Sequence, residues 1–180
     1  MNKQICSIEI ATGILELAYR IQIFEIEEIQ KLFTVELSVG NIIFPSKHLN
    51  EKEVHKLLYN NLHSSICAFL VSIDEALEKA FGSKRLMEGS FLDNFRAIIY
   101  MFRCAFSHEI SEPKWSINPK YRRRFKIEVP DECREVGIES FEFDFTNLNR
   151  ENVPTSSFKG IAGLKTLSNI ACKLLLEKNS

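Results

Sequence analysis

The chain has 180 residues, of which 45% are hydrophobic and 26% charged, and its formal net charge is -1 at pH 7. These values are typical of a soluble globular protein and predict a single domain, residues 1–180, with a sizeable core. The near-neutral balance excludes a generally basic nucleic-acid coat protein, although it is compatible with a local basic site.

Five scattered cysteines, with no Cys-x-x-Cys pair, favour a reducing cytoplasm over a disulfide framework or a zinc site. The residues from Met1 to Glu9 lack the basic start and apolar run of a signal peptide. No apolar stretch reaches the roughly 20 residues that a membrane helix needs. The sequence therefore predicts a cytoplasmic protein with no membrane contact, no metal site and no cofactor.

The amino-terminal part of the chain predicts a helix followed by a hairpin. Apolar residues at spacings of three and four favour a helix from about Ile8 to Phe33. The spacing of the apolar residues shortens from Val35 to Phe44. Within this stretch Gly40-Asn41 is a turn signal that would join two short strands.

The longest predicted element is a helix from about Glu51 to Phe81. Asn50 would cap its start, and Gly82 would end it. A short loop, Ser83 to Ser90, leads into a second helix that begins at Phe91. Because the loop is short, we expect the two helices to pack as an antiparallel pair.

Hydrophobic residues then alternate with charged ones in two stretches, Phe125 to Val129 and Phe141 to Phe145. This period predicts two strands that pair in antiparallel fashion across a loop at Pro130 to Gly137. A last helix follows, with Ser156 or Ser157 as its cap. The predicted fold class is therefore mainly α, a helical bundle with a small antiparallel β element near residues 123–146.

The helix that begins at Phe91 carries Arg103 and His108 at its end, with four residues between them. Arg103 shares a helix face with Arg96 and Ser107, so we do not expect it in the core. An arginine keeps its proton and binds phosphate with a forked pair of donors, whereas a histidine exchanges a proton near neutral pH. Together they are a minimal set of side chains for binding and cleaving a phosphodiester without a metal.

The run from Phe102 to Glu109, continuing to Lys114 and Trp115, resembles the signature of the HEPN superfamily. Its members carry an arginine, then four to six residues and a histidine, near the end of a helix in an α-helical bundle. Many members resemble metal-independent endoribonucleases of toxin–antitoxin or defence systems, in which two copies of the motif meet at a homodimer interface. The resemblance implies a HEPN-like domain with Arg103 and His108 in its active site, a homodimer, RNA or nucleotide as ligand, and an antitoxin as a candidate partner.

The chemistry follows from the substrate, because RNA carries its own nucleophile, the ribose 2′-hydroxyl. His108 would act as base or acid, and Arg103 would stabilise the charge that builds on the non-bridging oxygens. A symmetric dimer would supply two histidines, one as the base and the other as the acid.

A helix end also offers a structural explanation for both residues. There a histidine binds free carbonyls and complements the helix dipole, and Arg103 would pair with a carboxylate such as Glu109. HEPN members usually have asparagine or aspartate directly after the arginine, where this chain has Cys104. The alternative function is therefore a non-catalytic helical interaction protein that has lost nuclease activity.

A second candidate site is the basic run of Arg122, Arg123 and Arg124. With Tyr121, Phe125 and Trp115 nearby, these residues would grip a phosphate backbone and stack a base. A short run of charge is otherwise a solvated strand end. The functional interpretation predicts that the three arginines extend the nucleic-acid groove that starts at the histidine.

Overall fold

The structure is a computed structural model that describes residues 3–23, 34–37, 40–43, 51–83, 89–108, 111–135 and 137–179. In these residues four α-helices are present: α1 (Lys3–Ile23), α2 (Glu51–Phe81), α3 (Phe91–His108) and α4 (Gly160–Asn179). Four strands accompany them: β1 (Thr34–Leu37), β2 (Gly40–Ile43), β3 (Arg124–Glu128) and β4 (Ser140–Asp144). The predicted mainly α class with a small antiparallel β element is confirmed.

Helices α2 and α3 have the predicted arrangement. Gly82 ends α2 with a φ of 82°, a left-handed conformation that glycine adopts without steric cost. The Ser90 hydroxyl accepts a hydrogen bond of 3.1 Å from the amide of Asp93 and so caps the start of α3. Residues 96, 103 and 107 of α3 contact residues 82, 74 and 67 in turn, so the two helices run antiparallel.

Arg96 differs from the expectation that it shares an exposed face with Arg103. It is buried, and its guanidinium donates a hydrogen bond to the carbonyl of Gly82. The last carbonyls of a helix lack partners within that helix, and a basic side chain from a neighbour satisfies them. The first turns of this face are therefore covered by the end of α2, whereas Ser107 at the other end is exposed.

The helix predicted from Ile8 to Phe33 is confirmed up to Ile23, and it begins earlier, at Lys3. Residues 24–33 and Asn50, the predicted cap of α2, lie outside the described residues. Strands β1 and β2 pair in antiparallel fashion, which confirms the hairpin. The predicted turn position is wrong, because Gly40 and Asn41 belong to β2 and pair with residues 37 and 36.

The second strand pair confirms the alternating pattern. β3 and β4 pair in antiparallel fashion, with Arg124 opposite Asp144 and Glu128 opposite Ser140. The apolar residues of β3 point into the core, since Phe125 is buried between exposed neighbours. Phe143 of β4 contacts Phe102 of α3, and the chain after β4 returns to the segment that follows α3, where Asn152 pairs with Lys114.

The start of α4 was predicted wrongly. Neither Ser156 nor Ser157 caps it, because both belong to a 3₁₀ turn, Thr155–Phe158, that precedes the helix. Lys159, between this turn and α4, adopts a positive φ of 57°, and Gly160, the first residue of α4, has a φ of 70°. A Cβ at residue 163 would lie 1.6 Å from the carbonyl oxygen of Phe158, so only a glycine allows the turn to approach the helix this closely.

One hydrophobic core joins the four helices to β3 and β4. Phe102 of α3 is fully buried near its centre. Its ring centroid lies 4.2 Å from that of Phe158, 4.9 Å from that of Trp115 and 4.9 Å from that of Phe143. Because Trp115 belongs to the segment after α3, these aromatic contacts fix that segment against the helix.

Candidate functional site

Arg103 lies on the face of α3 that packs against α2. Its Nη1 donates a hydrogen bond of 2.6 Å to Oδ2 of Asp74. The side chain of Asp74 is 2% exposed, whereas that of Arg103 is 34% exposed. Burial lowers the pKa of Arg103, but the hydrogen bond and the charge of Asp74 outweigh burial, so the pKa lies above its ordinary value. Arg103 is thus a positioned, permanent cation with part of its surface open to solvent.

The observed ion pair of Arg103 is with a residue that the sequence did not predict. The expected carboxylate, Glu109, lies outside the described residues, and the observed partner of Arg103 is a buried aspartate on a neighbouring helix. A cation that neutralises a buried carboxylate has a structural task. The geometry therefore gives Arg103 a role in packing, whatever else the residue does.

His108 is the last residue of α3, and its side chain is exposed. It lines an open cleft of about 610 Å³ whose other lining residues are Lys114, Trp115, Ser116, Asn149 and Arg150. Five positions along a helix correspond to about 140° around its axis. Within one chain, Arg103 therefore faces Asp74 while His108 faces the cleft.

Two irregular segments, residues 113–117 and 149–153, build the cleft by pairing with each other. Lys114 and Asn152 form an antiparallel bridge. The backbone hydrogen bonds run from Trp115 N to Glu151 O (2.9 Å), from Arg150 N to Trp115 O (2.8 Å) and from Val153 N to Pro113 O (2.8 Å). The side chain of Asn149 adds a further link, because its Oδ1 accepts a hydrogen bond of 2.9 Å from the amide of Ile117.

The cleft is basic. Lys114 and Arg150 are cations, and His108 becomes one when it is protonated. Lys114 Nζ lies 3.5 Å from a carboxylate oxygen of Glu112, and both side chains are exposed. Exposed ion pairs of this kind contribute roughly 0–1 kcal/mol, so an incoming anion can replace Glu112. The cleft therefore combines a proton-exchanging group with positive charge, which suits a phosphodiester.

The three-arginine run lies at the start of β3, and two of its members have partners there. Arg124 Nε donates a hydrogen bond of 2.6 Å to Oε1 of Glu142 on β4. The guanidinium carbon of Arg123 lies 4.8 Å from the ring centroid of Phe125. Arg122 is exposed. The run is therefore not the uniform basic stripe that its sequence suggests.

The aromatic residues that were expected to stack bases lie in the core. Trp115 is 3% exposed, and Tyr121 and Phe125 are each 1% exposed. Tyr121 packs instead on Tyr100 of α3, with 5.5 Å between ring centroids. A nucleobase needs an exposed ring face, so the expectation that Trp115, Tyr121 and Phe125 stack a base is wrong.

Sequence reasoning missed Asp74, Asn149 and Arg150. The only signal for the last two was a turn-forming asparagine followed by a cation. Nothing in the sequence indicates that this turn meets the segment after His108. Asp74 looked like an ordinary polar residue of α2, because the pattern does not show which face of α3 it meets.

Among the described residues, no cluster of three or more His, Cys, Asp or Glu side chains is placed to hold a metal ion. No helix in this part of the chain is both long and apolar enough to cross a lipid bilayer. Comparison with protein-family models, curated proteins and solved structures finds no match to this chain. The candidate site is therefore characterised by its own geometry, an exposed histidine beside two cations in an open cleft.

Proposed function

We propose that this chain is a HEPN-like domain that binds single-stranded RNA and cleaves it without a metal, as a homodimer in the cytoplasm. The observation that carries the proposal is the position of His108, exposed at the end of α3 in an open basic cleft of about 610 Å³. A toxin or defence protein controlled by an antitoxin is the biological setting that the HEPN resemblance implies.

The reaction needs only proton transfers and charge stabilisation. A base takes the proton of the ribose 2′-hydroxyl, whose oxygen then attacks the adjacent phosphorus. The bond from phosphorus to the 5′-oxygen breaks, and an acid protonates that leaving oxygen. The products are a 2′,3′-cyclic phosphate and a free 5′-hydroxyl. His108 supplies the proton transfer, and an arginine stabilises the charge on the non-bridging oxygens.

The homodimer solves a problem that the single chain leaves open. Arg103 faces α2 while His108 faces the cleft, so one chain does not direct both side chains at one phosphate. A two-fold axis near the end of α3 would bring two copies of each residue to a shared surface. One His108 then acts as the base and its counterpart as the acid.

The test is cleavage of labelled single-stranded RNA by the pure protein in EDTA. We expect His108→Ala to lower the cleavage rate at least about 100-fold, since acid–base groups contribute roughly 10²–10⁴-fold. Lys79→Gln, which removes an exposed lysine near the opposite end of α2, should cleave like the parent. Substrates with a 2′-deoxyribose at the cut position should stay intact.

Several outcomes would contradict this assignment. Equal rates for His108→Ala and the parent would exclude His108 from the chemistry. Loss of cleavage only when EDTA is present would show that the reaction depends on a metal. Products with a 3′-hydroxyl would show that the 2′-oxygen is not the nucleophile.

A non-catalytic interaction protein is the second candidate function. The ion pair between Arg103 and the buried Asp74 favours it, because the arginine already has a structural task. Cys104, in place of the usual polar residue, points the same way. This candidate predicts that the parent cleaves no RNA. Cleavage gained by Cys104→Asn would then identify a chain that lost an ancestral nuclease activity.

A further inference from the structure

The two cations of the cleft come from segments that are far apart in sequence but paired in space. Lys114 forms its bridge with Asn152, and the amide of Arg150 donates a hydrogen bond of 2.8 Å to the carbonyl of Trp115. Lys114 and Arg150 are therefore near neighbours across the pairing, and both line the cleft that contains His108. This places two positive charges beside the one exposed proton-exchanging side chain of the cleft.

The backbone at Arg150 is unusual. Its φ is 72°, in the left-handed region that residues other than glycine, asparagine and aspartate rarely adopt. Hydrogen bonds on both sides hold this conformation, from Arg150 N to Trp115 O and from Glu151 N to Leu148 O (2.9 Å). An arginine here carries a conformational cost that glycine would avoid, and such strained positions concentrate at functional sites.

Both cations have exposed side chains. Arg150 is exposed, and in the described part of the chain no carboxylate forms an ion pair with it. Lys114 has Glu112 at 3.5 Å, an exposed contact that a phosphate can displace. A guanidinium forms bidentate hydrogen bonds with a phosphate group, and an ammonium binds one as a compact charge. The two together suit successive phosphates of a sugar–phosphate backbone.

We propose that Lys114 and Arg150 form a phosphate-binding subsite beside His108 that holds the backbone of a single-stranded nucleic acid. The inference deepens the proposed function and rests on it, because the subsite would position the strand for cleavage at His108. It also names a different RNA contact from the sequence-based one. Arg124 pairs with Glu142 and Arg123 lies over Phe125. Contact of the three-arginine run with RNA stays a prediction.

The experiment measures binding of a fluorescein-labelled 2′-deoxy hexamer of thymidine by anisotropy. This probe has the phosphates of RNA but no 2′-hydroxyl, so it is bound without being cleaved. Trp115 is the only tryptophan of the chain and lines the cleft, so a change in its fluorescence on binding locates the probe there. Measuring the affinity at several salt concentrations gives the number of phosphate contacts, because the slope of log affinity against log salt is proportional to that number.

The variant is Lys114→Gln/Arg150→Asn, in which asparagine tolerates the left-handed backbone. We expect affinity to fall at least tenfold. The slope of log affinity against log salt should fall by about 1.4, since each phosphate contact contributes roughly 0.7 for a single strand. The matched control is Lys3→Gln/Lys79→Gln, which removes two exposed lysines from the groove between α1 and α2. It should bind within twofold of the parent.

The inference is overturned if the parent does not bind the hexamer, if the cleft variant binds like the parent, or if both double variants weaken binding equally. Thermal unfolding checks that each variant is folded, and Arg150→Lys should retain most of the affinity. A parent that binds through the cleft but cleaves no RNA supports the subsite and contradicts the nuclease. If the parent cleaves RNA and the cleft variant binds and cleaves as well as the parent does, the nuclease is supported and the subsite is contradicted.

Discussion

The two ends of the Arg103–His108 motif lie in regions that are built differently. At Arg103 two long helices pack side by side, and an ion pair joins them through the buried carboxylate of Asp74. At His108 the helix has ended, and two irregular segments form a cleft that is open to solvent. One motif therefore contains a residue fixed by buried contacts and a residue that is exposed in an open cleft. Two positions five residues apart on one helix can therefore have very different surroundings, one packed against a neighbouring helix and one open to solvent.

The largest effect is expected for a substitution of Phe102, which tests whether the ring of this residue stabilises both regions. Phe102→Ala removes a fully buried ring that packs on Trp115, Phe143 and Phe158. We expect the free energy of unfolding to fall by about 4 kcal/mol, measured by urea denaturation, because a large cavity remains. Binding in the cleft should weaken as well, since Trp115 loses its main contact with α3.

Phe102→Leu is the control for this prediction. It keeps most of the buried volume, so the loss should be below about 2 kcal/mol. Equal losses for the alanine and leucine variants would mean that the ring contacts do not support the core. If Phe102→Ala binds nucleic acid in the cleft as well as the parent does, the ring of Phe102 does not support the cleft.

The next effect compares the two motif residues directly. Arg103→Ala leaves the carboxylate of Asp74, 2% exposed, without its ion pair. We expect a loss of about 2 kcal/mol, less than for a fully buried pair because part of the guanidinium faces solvent. His108→Ala removes an exposed side chain and should change the free energy of unfolding by less than about 0.5 kcal/mol. Both values come from urea denaturation at pH 7.

Equal stabilities of Arg103→Ala and His108→Ala would contradict this prediction. So would a His108→Ala protein that is clearly less stable than the parent, because the histidine would then have a structural role at the helix end. Arg103→Lys sharpens the result, since it keeps the charge but not the planar donors. It should recover part of the lost stability.

The helical part of the fold was largely predictable from sequence, for a physical reason. α2 follows a long apolar stripe and ends at a glycine that the backbone requires, so Glu51 and Phe81 were both predicted. β3 and β4 follow an alternation that fixes which residues face the core. Periodicity is local information, and it is strongest in long elements with one buried face.

Contacts between elements were less predictable. The pairing of Arg96 with Gly82 and of Arg103 with Asp74 depends on the rotation of α3 against α2. The start of α4 depends on the close approach of Phe158 to Gly163, which competed with the local capping preference of serine. In each case tertiary packing overrode a sound local preference.

The cleft itself was beyond sequence reasoning. Its walls come from residues 113–117 and 149–153, which have no periodicity and meet only because β3 and β4 turn the chain back. The motif predicted His108 as a site residue, and its place in the cleft agrees with that prediction without testing it. The cations around it became visible only when the two segments were paired in space.

The smallest expected effect separates the shape of the cleft from its charge. Asn149 Oδ1 accepts a hydrogen bond of 2.9 Å from the amide of Ile117 and so ties the cleft walls together. Asn149→Ala removes that acceptor and should lower the free energy of unfolding by about 1 kcal/mol. Asn149→Asp keeps an acceptor at the same position, so its stability should lie closer to that of the parent.

For nucleic-acid binding we expect the opposite order from that for stability, with Asn149→Asp as the weaker variant. Asn149→Asp adds a negative charge beside Lys114 and Arg150, which repels phosphate, so we expect it to bind the deoxy hexamer several-fold more weakly than Asn149→Ala does. Anisotropy at low salt measures the difference, and high salt should reduce it because exposed charges are screened. If Asn149→Asp binds as well as the parent at low salt, the phosphate does not lie in this cleft. If Asn149→Ala is the weaker binder, the cleft acts through its shape, and His108 has to find its substrate by contacts other than these two cations.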